Sequence, residues 1–456
     1  MKNRSLKIFS LLLLASVSIF AQEDTLKTYQ FTLEEAIEYG LENNYQSQIA
    51  GKDVDIALKQ KWEIIAQGLP QISGNVDYQN YLKQPVTLLP AEITGGQPGT
   101  FTPVTFGTKQ SMNATGTWNQ LIFDGSYIVG IQSVKTLLQI SKNAKTKTDL
   151  EIKKAIISAY ANVLLAEESV EIFEKNVESL QKNYKDTQKI YENGFAEQED
   201  VEQLEITLLG LKNSLSRSLR MRDIAYEMLN LSLGIPVENK VNLSDDLDEL
   251  AMKYYDLSLL SKEIPVEENI DYRIAKNSAE SAEIQVKLQK AKALPSLTGF
   301  VNYGYQGFSQ KFTFLTSDQE YFGQSVLGVS LNIPIFSSGM RSSKTQQREL
   351  EHEQAMLDLE RTENEVKRQI NMAKSEYEFS IENYQNAVRN LELAERIENK
   401  NQIKFFEGIA SSFELTEAQR QLYSAQQDYL QAMLDVITAK AELENLLDTR
   451  TYNDEN

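Results

Sequence analysis

The chain repeats itself, and that constrains its fold more than anything else in it. Leu69-Pro70-Gln71-Ile72-Ser73-Gly74-Asn75-Val76-Asp77-Tyr78 returns as Leu294-Pro295-Ser296-Leu297-Thr298-Gly299-Phe300-Val301-Asn302-Tyr303. At the same offset Asn44 answers Asn269, Ala57 answers Ala282 and Ala66 answers Ala291. Ile122-Phe123-Asp124-Gly125 is echoed by Ile335-Phe336-Ser337-Ser338-Gly339, and Tyr191-Glu192-Asn193-Gly194-Phe195-Ala196 by Phe406-Glu407-Gly408-Ile409-Ala410. The offset shortens along the chain, so one half carries a longer loop. Duplication on this scale sets the architecture before any single residue does. Each half reads as helix, strand, loop, strand, long helix, turn, long helix.

The strands are legible by alternation. Over 71–82, Ile72, Gly74, Val76, Tyr78 and Leu82 face one way, with Gln71, Ser73, Asn75, Asp77 and Gln79 opposite. Over 111–123, Met112, Ala114, Gly116, Trp118 and Ile122 share a face. The second half repeats this over 296–305 (Leu297, Gly299, Val301, Tyr303, Tyr305) and 324–333 (Leu327, Val329, Leu331, Ile333). Four strands, apolar on one face and small or polar on the other, fit a lipid-facing barrel wall with a wet lumen. They also fit a half-buried antiparallel sheet. Four strands cannot close a barrel, and an open edge is not tolerated in lipid, so a spanning role requires several chains to pool their strands. Between the first two strands lies a turn-rich loop with Pro85, Pro90, Gly95, Gly96, Pro98, Gly99 and Pro103.

The helices are long. One is expected from Thr32 to about Gly68, with Thr32 as its cap and Pro70 marking its end. Hairpins are expected over 127–232 and 340–447. Ile152, Ile156, Ala159, Val163, Ala166, Val170, Phe173, Val177, Leu180 and Tyr184 step by four and three, the period of supercoiled helices. Ala418, Ala425, Ala432 and Ala439 recur at one seam, where small side chains let helices approach closely. About 60 residues at 1.5 Å each predict rods of roughly 90–100 Å. The helices alone also allow a structural coiled-coil or adaptor protein of the cell envelope without a pore.

Lys2, Arg4 and Lys7 precede an apolar run from Ile8 to Phe20, then Ala21-Gln22. This reads as a signal peptide over 1–21, too short to span. The organisation is then a first repeat over 22–233, an acidic connector over 234–268, a second repeat over 269–448 and a polar tail over 449–456. The formal charge is −19 and falls to −22 without the three basic residues of the signal, which argues against nucleic acid as a partner. Zero cysteines exclude disulfides and thiol chemistry. The single histidine, His352, reads as a solvated helix position. No catalytic constellation, cofactor motif or metal set is present, so no cofactor and no enzyme activity are expected.

The duplicated order, the Leu-Pro opening of each first strand at Pro70 and Pro295, the Ile-Phe exits leading to Gly125 and Gly339, and the Tyr-x-x-Gly-x5-Asp turn from Tyr191 to Asp200 resemble TolC-type outer-membrane efflux proteins. The resemblance spans Gln22 to about Asp448. It implies a mainly α fold with a membrane β-barrel: a homotrimer pooling four strands per chain into twelve, continued by an α-helical periplasmic tunnel. It further implies location in the outer membrane with helices extending into the periplasm, and partnership with outer-membrane lipid, a periplasmic adaptor and an inner-membrane pump. Function would be passive export of small toxic molecules or secreted proteins. It places Glu414 and Glu417, six and nine residues past Gly408, at the periplasmic entrance with Asp200 of the first hairpin, and adaptor docking at the turns of Gly194 and Gly408; without the resemblance the two glutamates read as acids favoured at a helix N-terminus. Three copies would ring six carboxylates around one axis, attracting cations and raising some of their pKa values by repulsion. Where the family often carries an aromatic hydroxyl and a basic residue to latch the entrance, this chain has Phe405 and Ala410, with Lys404 nearby as a substitute.

Overall fold

A computed structural model describes residues 27–449. The expected signal peptide, and the tail from 450 onward, lie outside them. The chain divides into two compact units, one holding the connector and the hairpin turns, the other the strands and helix–strand junctions.

In the first unit, β1 (Thr28–Phe31) pairs in parallel with β2 of the connector (Lys240–Leu243), a pairing absent from the sequence reading. Thr32 caps α1 (Leu33–Asn43) in a reciprocal box with Glu35. The connector continues through α2 (Leu247–Tyr254), whose first amides are accepted by the Asp246 carboxylate. The first long hairpin is α3 (Gly125–Glu192) and α4 (Gln198–Leu233); the second is α5 (Met340–Phe406) and α6 (Ser412–Leu446). At 68 residues, α3 is about 100 Å long.

Ile152, Ile156, Val163, Ala166, Val170 and Leu180 are buried along the expected seam of α3. A second face is buried as well: Ile157, Tyr160, Ala161 and Leu164. The connector explains it. The fully buried Tyr160 hydroxyl donates to Asp245 at 2.7 Å and lies 3.1 Å from the Phe31 carbonyl, and Asp245 also accepts the Leu33 amide at 2.7 Å. Burial, then the Asp245 charge, push the Tyr160 hydroxyl pKa up, so it stays a donor. Tyr377 does the same from α5, donating to the Tyr254 carbonyl at 2.6 Å and accepting the Asp256 amide at 2.9 Å. Ala418, Ala425 and Ala432 are buried, while Ala439 is only half-buried.

The helix expected over 32–68 is broken. Asn44 leaves helical geometry (φ −59°, ψ 135°), and a new helix, α7 (Tyr45–Ala66), follows. The Asn44 side-chain amide donates to the Ser232 carbonyl at 2.8 Å, satisfying a C-terminal carbonyl of α4. Its echo Asn269 caps α8 (Ile270–Ala291) and donates to the Leu446 carbonyl of α6 at 3.0 Å. Asn269→Ala should therefore cost about 1–2 kcal/mol. Asn269→Asp keeps the cap acceptor at the Asp271 amide but sets a buried carboxylate oxygen against the Leu446 carbonyl, and should cost at least as much. Thermal melts followed by circular dichroism would rank the two.

In the second unit a four-stranded antiparallel sheet runs β3 (Gln71–Asn80), β4 (Gln110–Asp124), β5 (Ser296–Ser309), β6 (Tyr321–Asn332). Its register aligns Ile72, Trp118, Val301 and Leu327 in one row and Tyr78, Met112, Gly307 and Tyr321 in another. This face is exposed in the single chain: Ile72 is 81% and Leu327 79% accessible. A bulge between Leu121 and Phe123 sets Phe123, rather than Ile122, opposite Leu297. The opposite face is less uniformly polar than expected. Phe300, Phe308, Phe322 and Val326 lie on it, and the Phe300 ring covers Gly328 so closely that a Cβ there would stand 2.4 Å from the ring. The expected loop between the first two strands is itself a hairpin, β7 (Val86–Pro90) and β8 (Phe101–Thr105). Five-residue strands containing Pro90 and Pro103 carry too little alternation to be read.

Candidate functional site at the hairpin turns

The two hairpin turns share one chemistry. In the first, Gly194 takes φ 80°, and the Phe195 amide returns to the Ile190 carbonyl at 3.0 Å. In the second, Gly408 takes φ 72°, and the Ile409 amide returns to Lys404 at 2.8 Å. A positive φ is where glycine carries no steric penalty.

Each expected acid first serves its own helix. Asp200 accepts the Glu197 amide at 3.2 Å at the start of α4. Glu414 forms a reciprocal box with Ser411, accepting the Ser411 amide at 2.8 Å while the Glu414 amide reaches Ser411 Oγ at 3.3 Å. The Ser-x-x-Glu spacing announces this box in the sequence, and the partner Ser411 went unread. Within the single chain the Ser411 amide, then its hydroxyl, hold the Glu414 carboxyl below the usual carboxylate range. Because that pKa is lowered on folding, the cap is intact at neutral pH and is lost as pH falls through the folded value. Glu417 is ion-paired with Arg420 one turn along α6, a cation the sequence reading did not weigh.

Asp200 meets neither glutamate: among the described residues no hydrogen bond or ion pair joins them. Lys404 exerts its field on Glu414 of its own hairpin. The two hairpins meet through leucines and through two amide pairs, Gln402 donating to Asn183 at 3.2 Å and Asn176 to Gln426 at 2.7 Å. Leu180 of α3 and Leu204, Leu208 and Leu211 of α4 cluster with Leu415 of α6, and Phe405 packs against them. Beyond them, Phe195, Ile409 and Phe413 stand 85%, 70% and 67% exposed at the turns.

The junction residues separate by role. Pro70 and Pro295 each precede a strand, β3 and β5. Gly125 opens α3 where a Cβ would stand 2.6 Å from a Leu294 methyl and 3.1 Å from the Ala291 carbonyl, so close packing requires it. Gly339 meets nothing but takes φ 81°, so the backbone requires it. Among the described residues no helix is long and apolar enough to cross a membrane, and no group of His, Asp and Glu is arranged to hold a metal.

Residues 266–449 match the family described as outer membrane efflux protein. Three solved structures share the fold. The outer membrane channel CmeC of Campylobacter jejuni is 14% identical, with a TM-score of 0.71 over 93% of this chain and 87% of that one. The outer membrane protein VceC of Vibrio cholerae is 16% identical, with 0.68 over 91% and 95%. The MtrE outer membrane channel of Neisseria gonorrhoeae, in its open state, is 17% identical, with 0.68 over 92% and 91%. No curated relative matches the chain by sequence. The family pattern covers the second repeat, and the fold of these channels covers more than nine-tenths of the chain. None of these comparisons supports the pore-free envelope protein that the helices alone allowed.

Proposed function

We propose that three copies of this chain close into one outer-membrane channel, the passive exit duct of a tripartite export system. An inner-membrane pump drives small toxic molecules or secreted proteins through it by way of a periplasmic adaptor, and the chain itself catalyses nothing. The observation that carries this reading is the four-stranded sheet. It exposes a continuous apolar face, and its edge strands β3 and β6 lack outer partners among the described residues. In lipid every strand edge must be paired, and four strands are too few to curl shut. Three copies supply twelve, enough to enclose a water-filled lumen.

Glu414, Glu417 and Asp200 are assigned to the periplasmic entrance. The turns of Gly194 and Gly408, with Phe195, Ile409 and Phe413 exposed beside them, present an apolar tip to the adaptor. Arg420 pairs with Glu417 and offsets part of the acid charge near the second turn, which Glu407 and Glu414 share. Charge rings of this kind select by sign. In single-channel recordings, Glu414→Gln with Glu417→Gln should weaken blockade by multivalent cations, and Arg420→Gln should strengthen it. Unchanged blockade in both would remove the acids from the entrance.

A further inference from the structure

The connection between β5 and β6 folds back over the sheet. Phe312 and Phe314 set their rings edge-on to Tyr78 of β3, with centroids 5.5 and 5.8 Å away, and stand 5.7 Å from each other. Phe314 is 4% accessible. The Tyr321 hydroxyl of β6 donates to the Phe314 carbonyl at 2.7 Å, and the Tyr321 ring fills the space that a Cβ on Gly307 would take. Tyr78, Gly307 and Tyr321 share one row on the face that carries Ile72 and Leu327. The connection therefore lies on the apolar face, reaching from β5 across to β3 at the end of the strands away from the helices.

Three properties suit it to lipid. Height is the first. The lowest apolar row of the face sets Phe123, Leu297 and Leu331 together. From Leu297 to Gly307 the strand takes ten steps, which at about 3.4 Å each and a tilt of roughly 40° rise about 26 Å, the height of an outer-membrane apolar band. The Tyr78 row is then the outer boundary of that band, where barrels carry aromatic girdles. Charge is the second. Lys311, Asp318 and Glu320 stand at the roots of the connection, and Phe312 to Ser317 holds no ionisable side chain. Hydrogen bonding is the third. The Thr313 carbonyl accepts the Thr316 amide at 3.0 Å and the Thr316 hydroxyl at 2.8 Å, and the Thr313 hydroxyl donates to Gln319 Oε1 at 2.6 Å. A turn that satisfies its own polar groups loses little on leaving water. Yet Phe312 and Leu315 are left 56% and 81% exposed, two large apolar side chains on an outward surface.

We propose that the β5–β6 connection is a lipid-immersed flap, with Phe312 and Leu315 entering the outer leaflet at the boundary between headgroups and acyl chains and Lys311 at headgroup level. The inference rests on the channel proposed above and adds that this folded-back segment, rather than the strands alone, meets the outer leaflet. The chain has no cysteine, so single cysteines carry one reporter each. Leu315→Cys is labelled with a polarity-sensitive fluorophore in trimers held in lipid nanodiscs. At 81% exposure Leu315 packs on little, so the substitution leaves the connection in place. Leu327→Cys is the mid-depth reference, and Glu192→Cys, beside the first hairpin turn, is the aqueous one. Lipid bearing a nitroxide near its headgroup should quench Leu315→Cys at least about five-fold more than Glu192→Cys, and dissolved iodide should show the reverse order. Quenching by iodide as strong as at Glu192→Cys overturns the flap. Shielding from both quenchers also overturns it, because the cover is then a neighbouring copy. If Leu327→Cys escapes the lipid quencher as well, the lipid-facing wall fails and with it the channel reading, so the two failures are distinguishable.

Discussion

Gly234→Val should leave little correctly assembled protein. Gly234 ends α4 at φ 76°, a conformation that costs a residue with a side chain about 1–2 kcal/mol. The larger penalty is steric. A Cβ would stand 2.2 Å from the Asn43 carbonyl oxygen and 2.7 Å from its carbon. That backbone cannot yield easily, because it is where α1 breaks into α7 and where Asn44 is tied to Ser232. Strain and backbone overlap together should exceed about 4 kcal/mol. Two other glycines are controls. Gly408 has a similar φ of 72° in open space, so Gly408→Ala should cost only the strain, about 1–2 kcal/mol. Gly210, inside α4 and touching nothing, should be stabilised by alanine by roughly 0.5–1 kcal/mol. Trimer yield and thermal midpoint for the three variants would test the order; equal behaviour of Gly234→Val and Gly408→Ala would contradict it.

The other large effect concerns the barrel wall. Leu327→Arg should block insertion into the outer membrane, whereas Gln324→Arg should insert normally and alter conductance. Leu327 lies near the middle of β6 in the apolar row with Ile72, Trp118 and Val301. An arginine facing lipid at mid-depth costs about 2–4 kcal/mol, paid once per copy. Gln324 sits on the opposite face, opposite Gly304, in a row with Thr115 and Asn75. There an arginine meets water. Sedimentation with outer membrane and heat-resistant trimer on gels separate the outcomes. Normal insertion of Leu327→Arg would take this face off the lipid.

The barrel strands and long helices were legible because each obeys a local rule. In the proposed barrel, lipid on one side and water on the other enforce alternation along Ile72–Tyr78 and Leu327–Ile333. The packed hairpins enforce the stepping of Ile152 to Leu180. The missed features depend on distant partners. The second buried face of α3 exists because β1, Asp245 and the connector lie over Tyr160, and nothing local to residues 157–164 announces them. The break at Asn44 is set by the Ser232 carbonyl, which lies far along the chain. The candidate entrance is different: Ser411 and Arg420 engage Glu414 and Glu417 from three residues away, a spacing that the sequence itself displays.

By itself the sequence determined the duplication, the period of every long element, and a sheet with one greasy face and too few strands to close. Those follow from short-range spacing, since side-chain direction is dictated by helix and strand geometry. Tertiary structure alone decided what fills the space between elements: the tyrosines clamping the connector, the leucine and Phe405 contact joining the hairpins, and the separate hairpin at the rim. These depend on residues brought together by folding from far apart in the chain, where no local pattern records which surfaces will meet.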